Sequence, residues 1–250
     1  MIEISGLVKK FGELVAVKEL NLTVKPGEIF GFLGPNGAGK TTTVKLLTGL
    51  LKPTAGVVRV AGYDVALQTI AAKKNMGLVP DEPFVYPKLT GAEYLRFIGE
   101  LYEVPVEDQG RRIPELLAMF ELSQWDGELV ESYSHGMRQK LVLAGIFLHD
   151  PKVLVLDEPM VGLDPKSARL VKEIFLTLSK RGTTIFMCTH VLEIAEKLCD
   201  RVGIMIEGSL VAMGSLEELR GKAQRPDSDL ENLFLSLTGG QEYSALLKHL

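Results

Sequence analysis

Cysteine is scarce. The 250-residue chain has two, Cys188 and Cys199, with no Cys-x-x-Cys spacing and apolar neighbours on each. Both are expected to be buried, reduced thiols of a cytosolic protein. Long hydrophobic runs are missing as well. The longest, Leu141 to Leu148, falls far short of the ~20 residues that span a bilayer. The opening Met1-Ile2-Glu3-Ile4 is acidic and reads as the start of a strand, not as a leader. The chain is therefore expected to be soluble by itself, whatever it docks against. Nor is there an excess of basic charge. A net charge of −4 argues against a large nucleic-acid surface and leaves room only for a local basic patch. Internal repeats and low-complexity tracts are absent.

What is present is ordinary for a globular protein, with 46% hydrophobic and 24% charged residues. The length suffices for a substantial core, in one domain or two lobes. The strongest local signal is Gly34-Pro35-Asn36-Gly37-Ala38-Gly39-Lys40-Thr41-Thr42, which fits a phosphate-binding loop: Gly, four residues, Gly-Lys-Thr. Glu28 to Leu33 reads as a short buried strand leading into it. Lys40 to Leu50 reads as a helix leaving it, with Val44, Leu46, Leu47 and Leu50 as apolar positions. Glycines let the backbone approach an anion, and successive N–H groups then point at a phosphate from the positive end of the helix. Lys40 supplies a mobile charge to the terminal phosphates and the Thr41 hydroxyl is placed to ligate Mg2+. The loop predicts a nucleoside triphosphate site.

Along the chain, Ile2-Glu3-Ile4 and Leu20-Asn21-Leu22-Thr23-Val24 alternate as half-exposed strands, and Val57 to Val60 and Met76 to Val79 are further strands. From Pro87 to His149 the character turns helical, with helices expected over Glu93 to Tyr102, Pro114 to Leu122 and Met137 to Leu148. Strands return at Val153 to Leu156, Thr183 to Cys188, Val202 to Ile206 and Leu210 to Met213. A helix from Lys166 to Lys180 separates the first two, opened by Asp164-Pro165 and stopped by Gly182. Apolar strands alternating with helices imply a parallel core sheet. Gln224 to Ser228 is a polar linker before a short amphipathic helix near Leu230 to Leu237.

Other stretches carry chemistry. Val153 to Leu156 ends in Asp157-Glu158, and ligands gather at the ends of parallel strands. Asp157 is placed to hold Mg2+, directly or through water, and Glu158 to act as general base toward a water. Two acids in this position can also merely cap a turn. His190 follows the next strand, where an imidazole reaches a γ-phosphate. His135, His149 and His249 read as structural or solvated. In Tyr133-Ser134-His135-Gly136-Met137, Ser134 is a good N-cap, and the same helix terminus can receive an anion.

Taken in order, these stretches with Gly162-Leu163-Asp164 resemble the nucleotide-binding domain of ABC transporters over about residues 2 to 215. The resemblance implies an α/β P-loop NTPase fold: a RecA-like parallel core sheet with an antiparallel β subdomain, plus an inserted α-helical subdomain. It divides the chain into an ATP-binding core (1–86 and 151–215), a helical signature subdomain (87–150) and a C-terminal linker and helix (216–250). It also implies ATP and Mg2+ as ligands, and a head-to-tail pair in which one copy's signature closes over ATP held by the other's phosphate loop. Ser134, His135, Gly136 and Met137 are the signature positions acting in trans, and Asp164 lies at the dimer seam. Phe11 occupies the position that stacks on adenine, where only a π face is needed.

The signature departs from the family's Leu-Ser-Gly-Gly-Gln at Tyr133, His135 and Met137 while keeping Ser134 and Gly136. Asp81, in Val79 to Pro83, stands where the family usually has Gln; it can meet Mg2+ or water but repels a γ-phosphate. The Tyr-Ser-x-Gly-Met form and the Leu230-Glu231-Asn232-Leu233-Phe234 tail look most like ATPases of ABC-2-type exporters. A membrane permease is then the expected partner, received near Phe84, Val85, Tyr86 and Leu89, and no nucleic acid is expected. Location would be cytoplasmic, at the inner face of the cell membrane through that permease. A soluble ABC-type switch acting on ribosomes or DNA, or a nucleotide-binding regulator with weak hydrolysis, are the other readings.

Overall fold

The computed structural model describes residues 1–222 and 229–238. It begins with a long hairpin, β1 (Ile2–Phe11) and β2 (Leu14–Val24), followed by β3 (Ile29–Leu33) and α1 (Lys40–Leu47). The sequence pattern showed only the ends of the hairpin, Ile2 to Ile4 and Leu20 to Val24. Its middle breaks strict alternation through register shifts between Ile4 and Lys10, so the period-2 signal fades there. Helix α1 stops at Leu47, three residues before the expected Leu50. Gly49 has φ 66°, and the Leu50 N–H donates to the Lys45 carbonyl at 2.9 Å, a glycine-terminated C-cap.

Next come β4 (Ala55–Val60), β5 (Tyr63–Asp64), α2 (Thr69–Lys74) and β6 (Met76–Val79). The helical stretch holds α3 (Gly91–Leu101), α4 (Val106–Met119) and α5 (His135–Leu148). A capping box starts α3, with Thr90 and Glu93 exchanging side-chain and main-chain hydrogen bonds. Helix α4 corrects the expectation of a start at Pro114, which lies inside it. The first two turns, Val106 to Arg112, are mostly polar and show no apolar period. They form because Ile113, Leu116 and Leu117 anchor the second half in the core, which offsets the cost of a proline inside the helix.

The remainder alternates β7 (Val153–Asp157), α6 (Pro165–Lys180), β8 (Thr184–Cys188), α7 (Leu192–Leu198), β9 (Arg201–Ile206), β10 (Ser209–Gly214), α8 (Leu216–Lys222) and α9 (Leu230–Thr238). Helices α2, α7 and α8 are too short to give a clear apolar period and were not expected. The linker from Gln224 to Ser228 and His249 lie outside the described residues.

Two sheets result, an antiparallel one in the order β2-β1-β4-β5 and a larger one in the order β10-β9-β3-β8-β7-β6. In the larger sheet β9, β3, β8, β7 and β6 are parallel and β10 is antiparallel at one edge. Both faces are covered. Leu154 and Leu156 pack with the helices α3 to α6, whereas Val153 and Val155 pack toward α1 and the antiparallel sheet. That double burial explains why these strands read as unbroken apolar runs. Phe186, fully buried in β8, stacks on Phe30 at 5.9 Å and meets Phe32 at 5.2 Å between centroids. Cys188 is buried and Cys199 half-buried, both as free thiols, and burial pushes both thiols up, away from the reactive thiolate. No helix among the described residues is long and apolar enough to cross a membrane.

Phe186→Ala should lower unfolding stability by about 3–5 kcal/mol, because it removes the ring shared by two strand neighbours and leaves a cavity. Denaturant titration checks this; a loss under about 1 kcal/mol would mean the site collapses freely.

Candidate functional site

Strand β3 delivers the chain to the phosphate loop, and α1 carries it away. Two glycines there admit no side chain: a Cβ at Gly34 would run into the Met205 carbonyl oxygen, and one at Gly39 into that of Ala16. Gly39 also has φ 105°, a conformation open to glycine. The turn between β9 and β10 buttresses the loop, its Gly208 N–H donating to the Ala38 carbonyl at 2.9 Å. Lys40 Nζ donates to the carbonyl oxygens of Gly34 at 2.6 Å and Pro35 at 3.0 Å, across the mouth of the loop.

Two cavities meet at this loop, sharing Asn36, Lys40 and Thr41. The larger, about 730 Å³, runs past Thr42 and Gly37 to Phe11 and Lys18. Phe11 ends β1 with its ring half open to solvent and the Lys9 ammonium 5.0 Å from its centroid. The smaller, about 510 Å³, joins Lys40 and Thr41 to Asp81, Asp157, Glu158, Thr189 and His190. Its far wall includes Phe234 of α9, which no local sequence signal places at the site. Leu230 and Leu233 bury that helix against α7 and the strand ends, which turns the Phe234 face inward.

The acids sit at the carboxyl end of β7. Asp157 is 6% exposed. Burial holds its carboxyl above the ordinary range, the nearby Asp81 and Glu158 charges add to this, and a hydrogen bond with Thr41 opposes it. Glu158 turns out of the strand with φ 49°, a left-handed conformation unusual for a residue with a side chain. Its carboxylate makes three contacts and keeps a lone pair of Oε2 free of protein partners among the described residues. Oε2 accepts from Thr189 Oγ1 at 3.0 Å, and Oε1 accepts from the His190 N–H at 2.9 Å and contacts His190 Nδ1 at 2.8 Å. Sequence reasoning aimed His190 at a phosphate; here its ring meets Glu158. Thr189 has no role in the sequence reading, and a hydroxyl one residue before the histidine was the available signal.

The structure does not bring every expected site residue together. Ser134, His135, Gly136 and Met137 open α5 but line neither cavity. Ser134 caps the helix, its Oγ accepting from the Met137 N–H at 3.3 Å. Asp164 caps α6, accepting from the Ser167 N–H at 2.9 Å and Ser167 Oγ at 2.5 Å. Those bonds, with Lys140 Nζ at 3.3 Å, hold its carboxyl well below the usual carboxylate range.

A parallel sheet with a phosphate loop after one central strand and paired carboxylates at the end of another defines a P-loop nucleoside triphosphatase cassette. Residues 17–161 match the ABC transporter family model, and the chain belongs to that family. It is 36% identical to the linearmycin resistance ATP-binding protein LnrL of Bacillus subtilis, over 88% of this chain and 70% of that protein. The chain spans 41% to 70% of the length of the first curated relatives it matches. A solved ATP-binding subunit of an ABC transporter superposes with a TM-score of 0.92 at 30% identity, covering 95% of this chain and 99% of that one. The cassette MJ0796, a dimer in a post-hydrolysis state with ADP and Pi, gives 0.78 at 26% identity over 86% and 99% of the two chains.

The raised carboxyl of Asp157 has a consequence for stability. Its charged form is disfavoured in the fold at neutral pH, and this penalty is relieved as pH falls through the raised folded-state value. Asp157→Asn should therefore raise the nucleotide-free Tm at pH 7. The gain should shrink toward pH 4. Thermal melts across pH test it, and an unchanged or lower Tm at pH 7 would contradict it.

Proposed function

We propose that the chain binds and hydrolyses ATP as one of two head-to-tail copies, and so energises a separate membrane permease, in the direction of export. The observation that carries the reading is the smaller cavity, where Lys40 and Thr41 of the loop share one space with Asp157, Glu158 and His190. The relative's name, with its reference to linearmycin resistance, supports export, and the dimeric cassette supports pairing. Residues 1–86 and 151–215 act as the ATP-binding core, 87–150 as the signature subdomain and 216–250 as the tail.

The adenine base stacks on Phe11 across the larger cavity, and the phosphates follow the loop N–H groups from Gly34 to Thr42. The donor set suits Mg2+: a hydroxyl on Thr41, hydrogen-bonded to a buried carboxylate on Asp157 that nearby like charges disfavour. Among the described residues no three His, Cys, Asp or Glu side chains form a metal cage, so a bound cation would also need oxygens from the nucleotide or water. When bound, Mg2+ neutralises charge on the β- and γ-phosphates. Asp81 sits at the same cavity wall, where a carboxylate serves toward water or the cation.

Glu158 takes a proton from water as the water oxygen attacks the γ-phosphorus; the bond to the β-phosphate oxygen breaks and ADP leaves. Thr189 and His190 orient the base. His190 contacts Glu158 through Nδ1, and Nε2 can donate to the γ-phosphate as well only when both ring nitrogens carry a proton. Ser134 and Gly136 of the second copy supply the remaining contacts, because in one chain they stand apart from the loop. With a permease attached, the protein lies at the inner face of the membrane. Phe84, 76% exposed, stands edge-on to Tyr86, which stands edge-on to Phe97. Such an open aromatic cluster suits the permease's cytoplasmic helices.

Glu158→Gln keeps the hydrogen-bonding shape and removes the base. Turnover should fall about 10²–10⁴-fold, with a dimer that persists in ATP and dissociates without it, read by size-exclusion chromatography. A variant that stays monomeric in ATP and hydrolyses normally would defeat the mechanism.

A further inference from the structure

On the buried side of α5, one polar side chain has incomplete hydrogen bonding. Gln139 is 1% exposed, and its Nε2 donates to the Pro159 carbonyl oxygen at 3.2 Å. That partner fixes the amide orientation, since a carbonyl oxygen accepts only from the NH2 end. Oε1 is consequently sealed from solvent with no donor, the one such side-chain atom among the described residues. A buried acceptor left in this state is disfavoured, and an apolar side chain of similar volume would avoid the penalty.

The position of Gln139 gives the amide a use. Pro159 directly follows Glu158 and begins the turn Pro159–Leu163 that leads into α6. The first turns of α5 lie along this turn and the α6 cap that follows it at three points. A Cβ at Gly136 would meet the Gly162 carbonyl oxygen at 2.7 Å, Gln139 holds Pro159, and Lys140 Nζ reaches Asp164 at 3.3 Å. Of these three, the Gln139 bond is the buried one and lies nearest in sequence to Glu158. Glu158 keeps its left-handed conformation through main-chain bonds to Cys188 and Val161, at 3.0 and 3.2 Å; such a residue stays put only while its surroundings hold it. In the same turn, the N–H groups of Met160 and Gly162 donate no main-chain hydrogen bond among the described residues.

We propose that Gln139 is a positioning residue for hydrolysis, the buried link between the helix opened by Ser134 and Gly136 and the backbone that carries Glu158. When those two residues close on a nucleotide, the turn shifts. Oε1 then accepts one of the turn's spare N–H groups while Nε2 keeps Pro159, which sets the carboxylate of Glu158 for attack. The proposal deepens the ATPase reading above and rests on it.

The test compares wild type with Gln139→Leu and Gln139→Met, two apolar replacements of similar size, so that one informative variant remains if the other fails to fold. Steady-state ATPase assays and equilibrium ATP binding are measured on the same preparations. The expected result is a kcat lower by about 10- to 100-fold, the scale of a misplaced catalytic group, with ATP affinity within about twofold of wild type. Gln139→Leu combined with Glu158→Gln should still form the ATP-dependent dimer. Unchanged kcat in a folded apolar variant would overturn the role, as would a loss that tracks weakened ATP binding or failed dimerisation. A wild-type protein that binds ATP and never hydrolyses it would instead defeat the ATPase reading itself, before any variant is compared.

Discussion

The nucleotide site depends on the register of three adjacent parallel strands. Phe32 of β3 pairs opposite Cys188 of β8, and Cys188 pairs opposite Asp157 of β7. Main-chain hydrogen bonds along these strands bring the phosphate loop, the paired acids and Thr189-His190 to one edge of the sheet, although up to 156 positions separate them in sequence. A one-residue slip in β7 would exchange Leu154 and Leu156 with Val153 and Val155 across the sheet. Both faces are packed, so such a slip carries a large packing penalty. The apolar core thereby fixes the chemistry of polar residues that it does not touch.

The same framework holds conformations that the site residues would not adopt alone. Asp157 stays in an environment that disfavours its charge, and Glu158 stays in a left-handed turn. Both are local costs that a well-packed sheet can absorb, and in the proposed mechanism both ready a carboxylate for a cation or a water. Cys188 lies opposite Asp157 in register yet is chemically quiet, because burial keeps its thiol protonated.

Much of this was legible in the sequence because the signals are local. A phosphate loop needs its glycines, lysine and threonine in fixed order, and a buried parallel strand ending in Asp157-Glu158 announces itself by an apolar run. What escaped is tertiary. The engagement of Glu158 by Thr189 and His190 joins residues 31 and 32 positions apart. Gln139 looks like an ordinary helix residue until Pro159 is seen beside it. Phe234 reads as one face of a short amphipathic helix, and only the docking of α9 shows that it reaches the cavity. The first half of α4 is hidden for a different reason: its polar residues and Pro114 argue against a helix locally, and packing of the second half overrides them.

The central claim is that one chain carries half of a working site. Lys40 belongs to the half that holds phosphate, and Ser134 to the half that a second chain brings. Mixing two inactive variants tests this most directly. Lys40→Ala and Ser134→Arg should each lack ATPase activity, whereas an equimolar mixture should recover about a quarter of wild-type turnover. Half the dimers are then mixed, and each mixed dimer holds one intact site. No recovery, with both variants folded and competent to associate, would contradict a site shared between two chains.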